Sequence, residues 1–448
     1  MTAARPASRL RSPYDREIAV LAIPAFGALT AEPLYVLADT AVVGHLGTPQ
    51  LGGLAVASSI LLTGYAVFIF LAYGTTAAVS RLLGAGDERE AAHQAVQSLW
   101  LAAAIGAVLV AFGAVFAEPL VRAIGADGAV ASNALVYLRV SLAGVPALLI
   151  VLAGTGYLRG LQDTRTPLLV AGGSALANLV IELVLIYGFG FGIGASALAT
   201  VVAQIGAATV YVARVVRAVQ ALDVPVRPDF RAIGALARVG GDLLLRTAAL
   251  RGALTLATAV ATRIGTDDVG AHQIAFEVWS FLALALDAVA IAGQAMIGRL
   301  LGAGQGTEAR AAARRMIELG LFTGVVCGAL VAASRPLLPH VFTDDAAVVA
   351  LTGFVLLWVA ALQPVNGVVF VLDGVLIGAG DMRFLAWAMA GAFAVFAAAA
   401  GAVLALDLGI GWLWASIGLL MVARLVALGT RFARGRWIML GPTATLRQ

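Results

Sequence analysis

Residues 80–87 read SRLLGAGD, and residues 298–305 read GRLLGAGQ, nearly the same octet 218 positions later. At the same separation LRGLQDTR (158–165) falls on LIGAGDMR (376–383), Pro146 on Pro364, and HLGT (45–48) on RIGT (263–266). One such match is noise. Several on one offset mean that the chain consists of two copies of one unit.

Composition tells what each copy contains. Of 448 residues 61% are hydrophobic and 12% charged, far below the roughly 25% charged fraction of soluble domains. Apolar runs of about 20 residues, the length that spans a bilayer, follow one another about twelve times. The runs lack the alternation of a barrel, and an open sheet would leave edge amides unpaired in hydrocarbon, so they are helices. About six fit in one copy. That even number brings the second copy into the membrane from the same side as the first, as in transporters built from parallel repeats. The expected architecture is therefore an all-α polytopic membrane protein of about twelve transmembrane helices in two parallel six-helix lobes. The lobes are placed at 1–222 and 223–448, joined by an Arg- and Pro-bearing cytoplasmic linker at about 214–235.

The net charge of +4 comes from arginine alone, since the chain has no lysine. With a cytoplasmic N-terminal tail (1–17), one side receives Arg5, Arg9, Arg11, Arg16, Arg81, Arg89, Arg159, Arg165 and the group Arg214, Arg217, Arg227, Arg231 and Arg238. Arg299, Arg310, Arg314, Arg315, Arg383, Arg431, Arg434, Arg436 and Arg447 fall there too, against Arg122, Arg263 and Arg335 opposite. Positive charge stays inside, so both termini are expected in the cytoplasm of a cell-membrane protein. This arginine reports topology and does not point to nucleic acid. The first apolar run is too long and too charged for a cleaved signal peptide. The single cysteine, Cys327, excludes an intrachain disulfide, and four scattered histidines give no zinc spacing.

Charged groups at membrane depth are expensive and mark function by default. In the first span, AEPLYVLADT (31–40) puts Tyr35 and Asp39 at i,i+4 with Glu32 three residues before Tyr35, a polar stripe along one face. ANLVIELVL repeats the device with Asn178 and Glu182, and the sixth span adds Thr200 and Gln204 at the same spacing. Converging, these side chains form an oxygen-rich cluster suited to a proton or a hard cation such as Na⁺. Pro24 and Pro33 remove helix hydrogen bonds from the first span, making it the expected site of bending.

The duplication supplies an internal control. Tyr35 falls on Ala253 and Asp39 on Ala257, and Glu182 falls on Ala400, or on Ala399 with a register slip to 217. A polar cluster confined to one copy argues against a structural need common to both. The second copy instead offers Asp242, Arg246, Arg251, Glu277, Asp287 and Asp373, with His272, as cavity-lining or mutually paired groups beside Glu32 and Gln204.

In this order and spacing, ADTAVVGHLGT, the paired RLLGAG loops, YLRGLQDTRTP, GAHQIAFEVWSF and QPVNGVVFVLDGVLIGAGD resemble the multidrug and toxic compound extrusion (MATE) family, in particular its DinF-like branch. The resemblance runs from about Ile18 to Arg431. It implies an antiporter that exports organic compounds in exchange for H⁺ or Na⁺ by alternating access, without a cofactor, as a monomer in the bilayer. Carried over residue by residue, the coupling site is Asp39, Asn178, Tyr35 and Thr200 with the bending Pro24. Glu182 stands where the pattern has Asp. Two other readings compete. A flippase for lipid-linked precursors would want several arginines in the first-lobe membrane region, where only Arg139 is available; a membrane-embedded enzyme would want a metal or nucleophile motif, and none is present.

Overall fold

The computed structural model describes residues 12–442, apart from the side chains of Tyr65 and Ala66. Arg5, Arg9, Arg11, Arg447 and most of the tail 1–17 lie outside the described residues. The first copy comprises α1 (Asp15–Gly44), α2 (Thr48–Val67), α3 (Phe70–Gly84), α4 (Glu88–Ala123), α5 (Gly128–Leu142), α6 (Val145–Gly160), α7 (Arg165–Leu183) and α8 (Ile193–Leu222). The second comprises α9 (Phe230–Ile264), α10 (Thr266–Gly302), α11 (Gly306–Ser334), α12 (Ala346–Gly378), α13 (Met382–Ala405) and α14 (Ile410–Ala433). No strand occurs among the described residues. Ten helices are long and apolar enough to cross a membrane, and α5 with α6, bent by 52°, makes an eleventh. The apolar stretch that follows α1 is divided between α2 and α3 at Phe68 and Ile69.

The duplication is visible in backbone geometry. Left-handed positions recur at the repeat distance: Gly86 (φ +77°) and Gly304 (+76°), Gln162 (+63°) and Gly380 (+78°), Asp223 (+50°) and Gly441 (+99°). So does an ion pair. Arg214 holds Asp163 at 3.2 Å in the first copy, and Arg431 holds Asp381 at 2.6 Å in the second. The acids are 218 apart and the arginines 217, which is the one-residue slip expected from the sequence.

The copies differ in continuity. The segment α10, with ends at Thr266 and Gly302, matches α2 and α3 together, whose ends are Thr48 and Gly84; α12 likewise matches α5 and α6. Two helices unbroken in the second copy are thus broken in the first. By contrast α1 runs through Pro24 and Pro33 without interruption. A single missing N–H is tolerated where the rest of the helix is packed, so proline content alone does not locate the breaks.

Two compact units can be distinguished, and their divisions fall inside helices: one holds the described residues up to Phe26 with Ala248–Leu440, the other Gly27–Thr247 with Gly441 and Pro442. In the first unit Arg315 donates to both Asp15 oxygens (2.7 and 2.9 Å) and Arg299 to Glu17, which fastens the foot of α1. Helices α11 and α12 meet backbone to backbone: a Cβ at Gly324 would lie 2.3 Å from the Gln363 carbonyl oxygen, and one at Gly367 would lie 2.1 Å from that of Gly320. Close approach through small residues replaces the hydrophobic drive that lipid cannot supply.

In the second unit α2 packs on α5 and α3 on α6, so the two helix breaks lie side by side. Here Gly106 is seated on Pro146 and Gly156 on the Ala72 backbone. Arg214–Leu222 are the last turns of α8, and the segment after them is strapped to α4. Trp100 donates to the Val226 carbonyl (2.9 Å), Gln97 donates to that of Arg227 (3.1 Å) and accepts from the Asp229 N–H (2.8 Å), and Arg89 donates to the Asp223 carbonyl (2.9 Å). Asp229 then starts α9, accepting from the Ala232 and Arg231 N–H groups, which hold its carboxyl below the usual carboxylate range.

Candidate functional site

Helix α8 is the spine of the site. Ser196 and Thr200, one turn apart, present their hydroxyls on one stripe. Ser196 Oγ donates to Asp39 Oδ1 at 2.6 Å, a bond that reaches from α8 to α1. Thr200 Oγ1 donates to the Ser196 carbonyl (3.1 Å), as helical threonines do. A hydroxyl has one hydrogen and two lone pairs. Thr200 therefore accepts from both remaining neighbours, Tyr35 Oη at 2.8 Å and Asn178 Nδ2 at 3.0 Å. One threonine joins α1, α7 and α8.

Glu182 completes the cluster from α7. It is fully buried, Asn178 is 2% exposed and Asp39 5%, so neither carboxyl faces lipid. Glu182 acts on Asp39 and lies beside Ser196, and among the described residues no basic side chain acts on either acid. Glu182 Oε1 and Oε2 and Asn178 Oδ1 are buried without a hydrogen-bond partner. Buried oxygens are paired as a rule, and these three, beside two carboxyl groups that act on each other, make a pocket suited to a proton or a cation. Directly after Glu182 the helix widens into a π-helical turn, Val184–Gly188, a distortion frequent at functional sites.

The structure thus brings together Tyr35, Asp39, Asn178, Glu182 and Thr200. It also supplies two members that sequence reasoning misses. Ser196 is legible, lying one turn before Thr200 on the same stripe. Tyr137 sits on α5, 4% exposed, with its hydroxyl toward Ser196 and Thr200 and acting on both acids.

The remaining candidates lie elsewhere. Glu32 is exposed on α1, and Gln204, half-buried, reaches Gly144. Asp242, Arg246 and Asp287 are half-buried; Glu277 is exposed and accepts from Gln273 at 2.9 Å. Arg251, expected to pair with an acid, is exposed on α9 and makes no ion pair among the described residues, because its guanidinium can reach a polar surface without one. His272 is 1% exposed, its ring against Trp414 (5.7 Å between centroids) and Nε2 at 3.3 Å from Thr258 Oγ1. Asp373 is buried and paired with Arg424 of α14.

The MatE family model matches residues 24–184 and again 248–403, once for each copy. Protein DETOXIFICATION 44, chloroplastic, of Arabidopsis thaliana is 33% identical over 443 residues, which cover 95% of this chain and 84% of that protein. DNA damage-inducible protein F of Escherichia coli (strain K12) is 30% identical over 395 residues, covering 86% and 84%. Among solved structures, a crystal structure of MATE in the bent conformation has a TM-score of 0.86 at 21% identity over 98% of both chains, and so shares the fold. With a duplicated helical fold, a match to the family model in both copies and relatives aligned over most of their length, the chain belongs to the multidrug and toxic compound extrusion (MATE) family of multi-pass membrane transporters.

Proposed function

We propose that this transporter exports small organic compounds from the cytoplasm across the cell membrane in exchange for H⁺ or Na⁺, by alternating access and as a monomer with both termini in the cytoplasm. Its functional lobes are 1–222 and 223–448. Asp39 and Glu182 are the coupling carboxylates, Asn178, Tyr35 and Thr200 their partners. The observation that carries the reading is the buried acid pair: two carboxyl groups that act on each other, no basic counter-ion among the described groups acting on them, and three buried oxygens without a hydrogen-bond partner beside them. Two carboxylates cannot both stay charged in a low-dielectric bundle. A proton or a sodium ion between them removes the repulsion and ties α1 to α7. Its loss restores the repulsion, and the cluster thereby converts cation occupancy into helix position.

That the substrates are drugs or toxic compounds rests on the names of the relatives, and the oxygen set suits either coupling ion. The test is efflux of a panel of cationic and anionic dyes from proteoliposomes under separately imposed proton and sodium gradients. Wild-type protein is expected to respond to one gradient, and Asp39→Asn to neither. Undiminished gradient-driven efflux by Asp39→Asn rejects the assignment, and movement of a lipid-linked pyrophosphate probe instead of the dyes replaces it with the flippase reading.

A further inference from the structure

The α8 stripe that carries Ser196 and Thr200 continues one turn further to Gln204. A Cβ at Gly144 would lie 2.2 Å from Gln204 Oε1 and 3.1 Å from Val201 Cγ2, so the carboxamide occupies the space a side chain would need. Gly144 is the residue at which α5 ends and α6 begins, with the 52° bend between them. There the ladder tightens, Ala143 N–H bonding to Val140 at 3.1 Å and Gly144 N–H to Ser141 at 2.9 Å, while Pro146 brings no N–H at all. Ser141 Oγ, 7% exposed, has no partner.

The second copy shows what happens without this arrangement. There the same proline, Pro364, lies inside the uninterrupted α12. Gly144 corresponds to Leu362, and Gln204, with the slip, to Met421; both are buried apolar side chains. Proline is common to the two sites and so does not by itself set the bend, whereas the Gly144–Gln204 contact is present in the bent copy alone.

We propose that Gln204 is a positioning residue that ties the bend between α5 and α6 to the state of the Asp39–Glu182 cluster. One helix, α8, holds Asp39 through Ser196, Tyr35 and Asn178 through Thr200, and the bend through Gln204, at successive turns. Helix α5 touches that stripe twice, at Tyr137 beside the cluster and at Gly144 two turns on. When a cation draws the acids together, Ser196 and Thr200 follow, Gln204 shifts against Gly144, and α6 swings relative to α5. The break in α2 and α3 beside it allows the neighbouring pair to move with it.

This inference rests on the proposed coupling site, and its test separates the two. Spin labels at Val136 of α5 and Leu152 of α6, in a Cys327→Ala background, report the bend by their separation. Calorimetry with NaCl and with acid pulses reports cation binding on the same protein. Wild type is expected to bind the cation and change the label separation by several ångströms. Gln204→Met, close in volume, is expected to bind it within twofold, hold one separation and exchange at least tenfold more slowly. The double variant Gly144→Leu, Gln204→Met reproduces the second-copy pair and should lock the straighter, longer separation. A cation-dependent separation that persists in Gln204→Met, or wild type that binds the cation with no change in separation, overturns the inference and leaves the coupling site standing. Wild type that binds neither cation, or Asp39→Asn that binds it unimpaired, overturns both.

Discussion

Thr200 shows how much one side chain organises: its single hydroxyl joins three helices with every donor and acceptor used. Asp39 depends on Ser196 in the same way. A hydrogen bond to a charged group contributes about 1.5–3 kcal/mol, so Ser196→Ala should weaken the apparent affinity for the coupling cation by roughly tenfold or more. Half-maximal cation concentration in a transport assay measures this, and an unchanged value would place the bond outside the coupling site. The five residues of the cluster named from sequence are legible because helical spacing alone puts Tyr35 with Asp39 and Asn178 with Glu182. Tyr137 has Asn133 and Ser141 at the same spacing, but with no acid on that face the pattern does not mark it as part of the site.

At the scale of elements, the glycines between α11 and α12 set how closely the two axes approach. A methyl at Gly367 meets the Gly320 backbone 2.1 Å away, whereas one at Gly391 meets nothing within 4 Å. Overpacking of this kind costs about 1–3 kcal/mol. Gly367→Ala should lower the thermal unfolding midpoint in detergent, while Gly391→Ala leaves it unchanged or raised. Equal behaviour of the two would show that the contact is relaxed. The strap on the segment after α8 gives a second expectation. Removing Gln97 deletes two of its hydrogen bonds and Trp100 a third, so Gln97→Ala with Trp100→Ala should speed amide exchange at 223–229 without altering exchange in α4. Retained protection would mean that the strap is not what orders the segment. Helix existence is legible from hydropathy, but helix continuity is not. Pro24 and Pro33 lie in α1, which is continuous, while the break between α5 and α6 falls at Gly144, against which a glutamine 60 residues away is packed. The π-helical turn after Glu182 is hidden for the same reason: local composition does not record the packing that widens a helix.

At the scale of the molecule, duplication explains the symmetric features, and departures from it locate function. The Asp163–Arg214 and Asp381–Arg431 pairs occur in both copies and hold equivalent loops. The acids of the cluster occur in one copy, a difference that the offset of 218 exposes from the residues alone. Asp373 with Arg424 occurs only in the other, and a pairing between residues 51 positions apart on separate helices leaves no local pattern in the sequence. Both partners are under a tenth exposed, so removing one should cost about 3–5 kcal/mol. Asp373→Leu with Arg424→Met should recover much of the loss, and unfolding midpoints of the single and double variants decide whether the pair is structural in this sense. The account as a whole depends on Asp39 and Glu182 holding the coupling cation. The most direct test is the membrane potential or substrate ratio at which net substrate flux in proteoliposomes reverses, measured while the proton and sodium gradients are varied in turn. Wild type should reverse at a point set by one of the two gradients, and Asp39→Asn at the point set by substrate alone. A variant whose reversal point still tracks the cation gradient as wild type does would contradict the account.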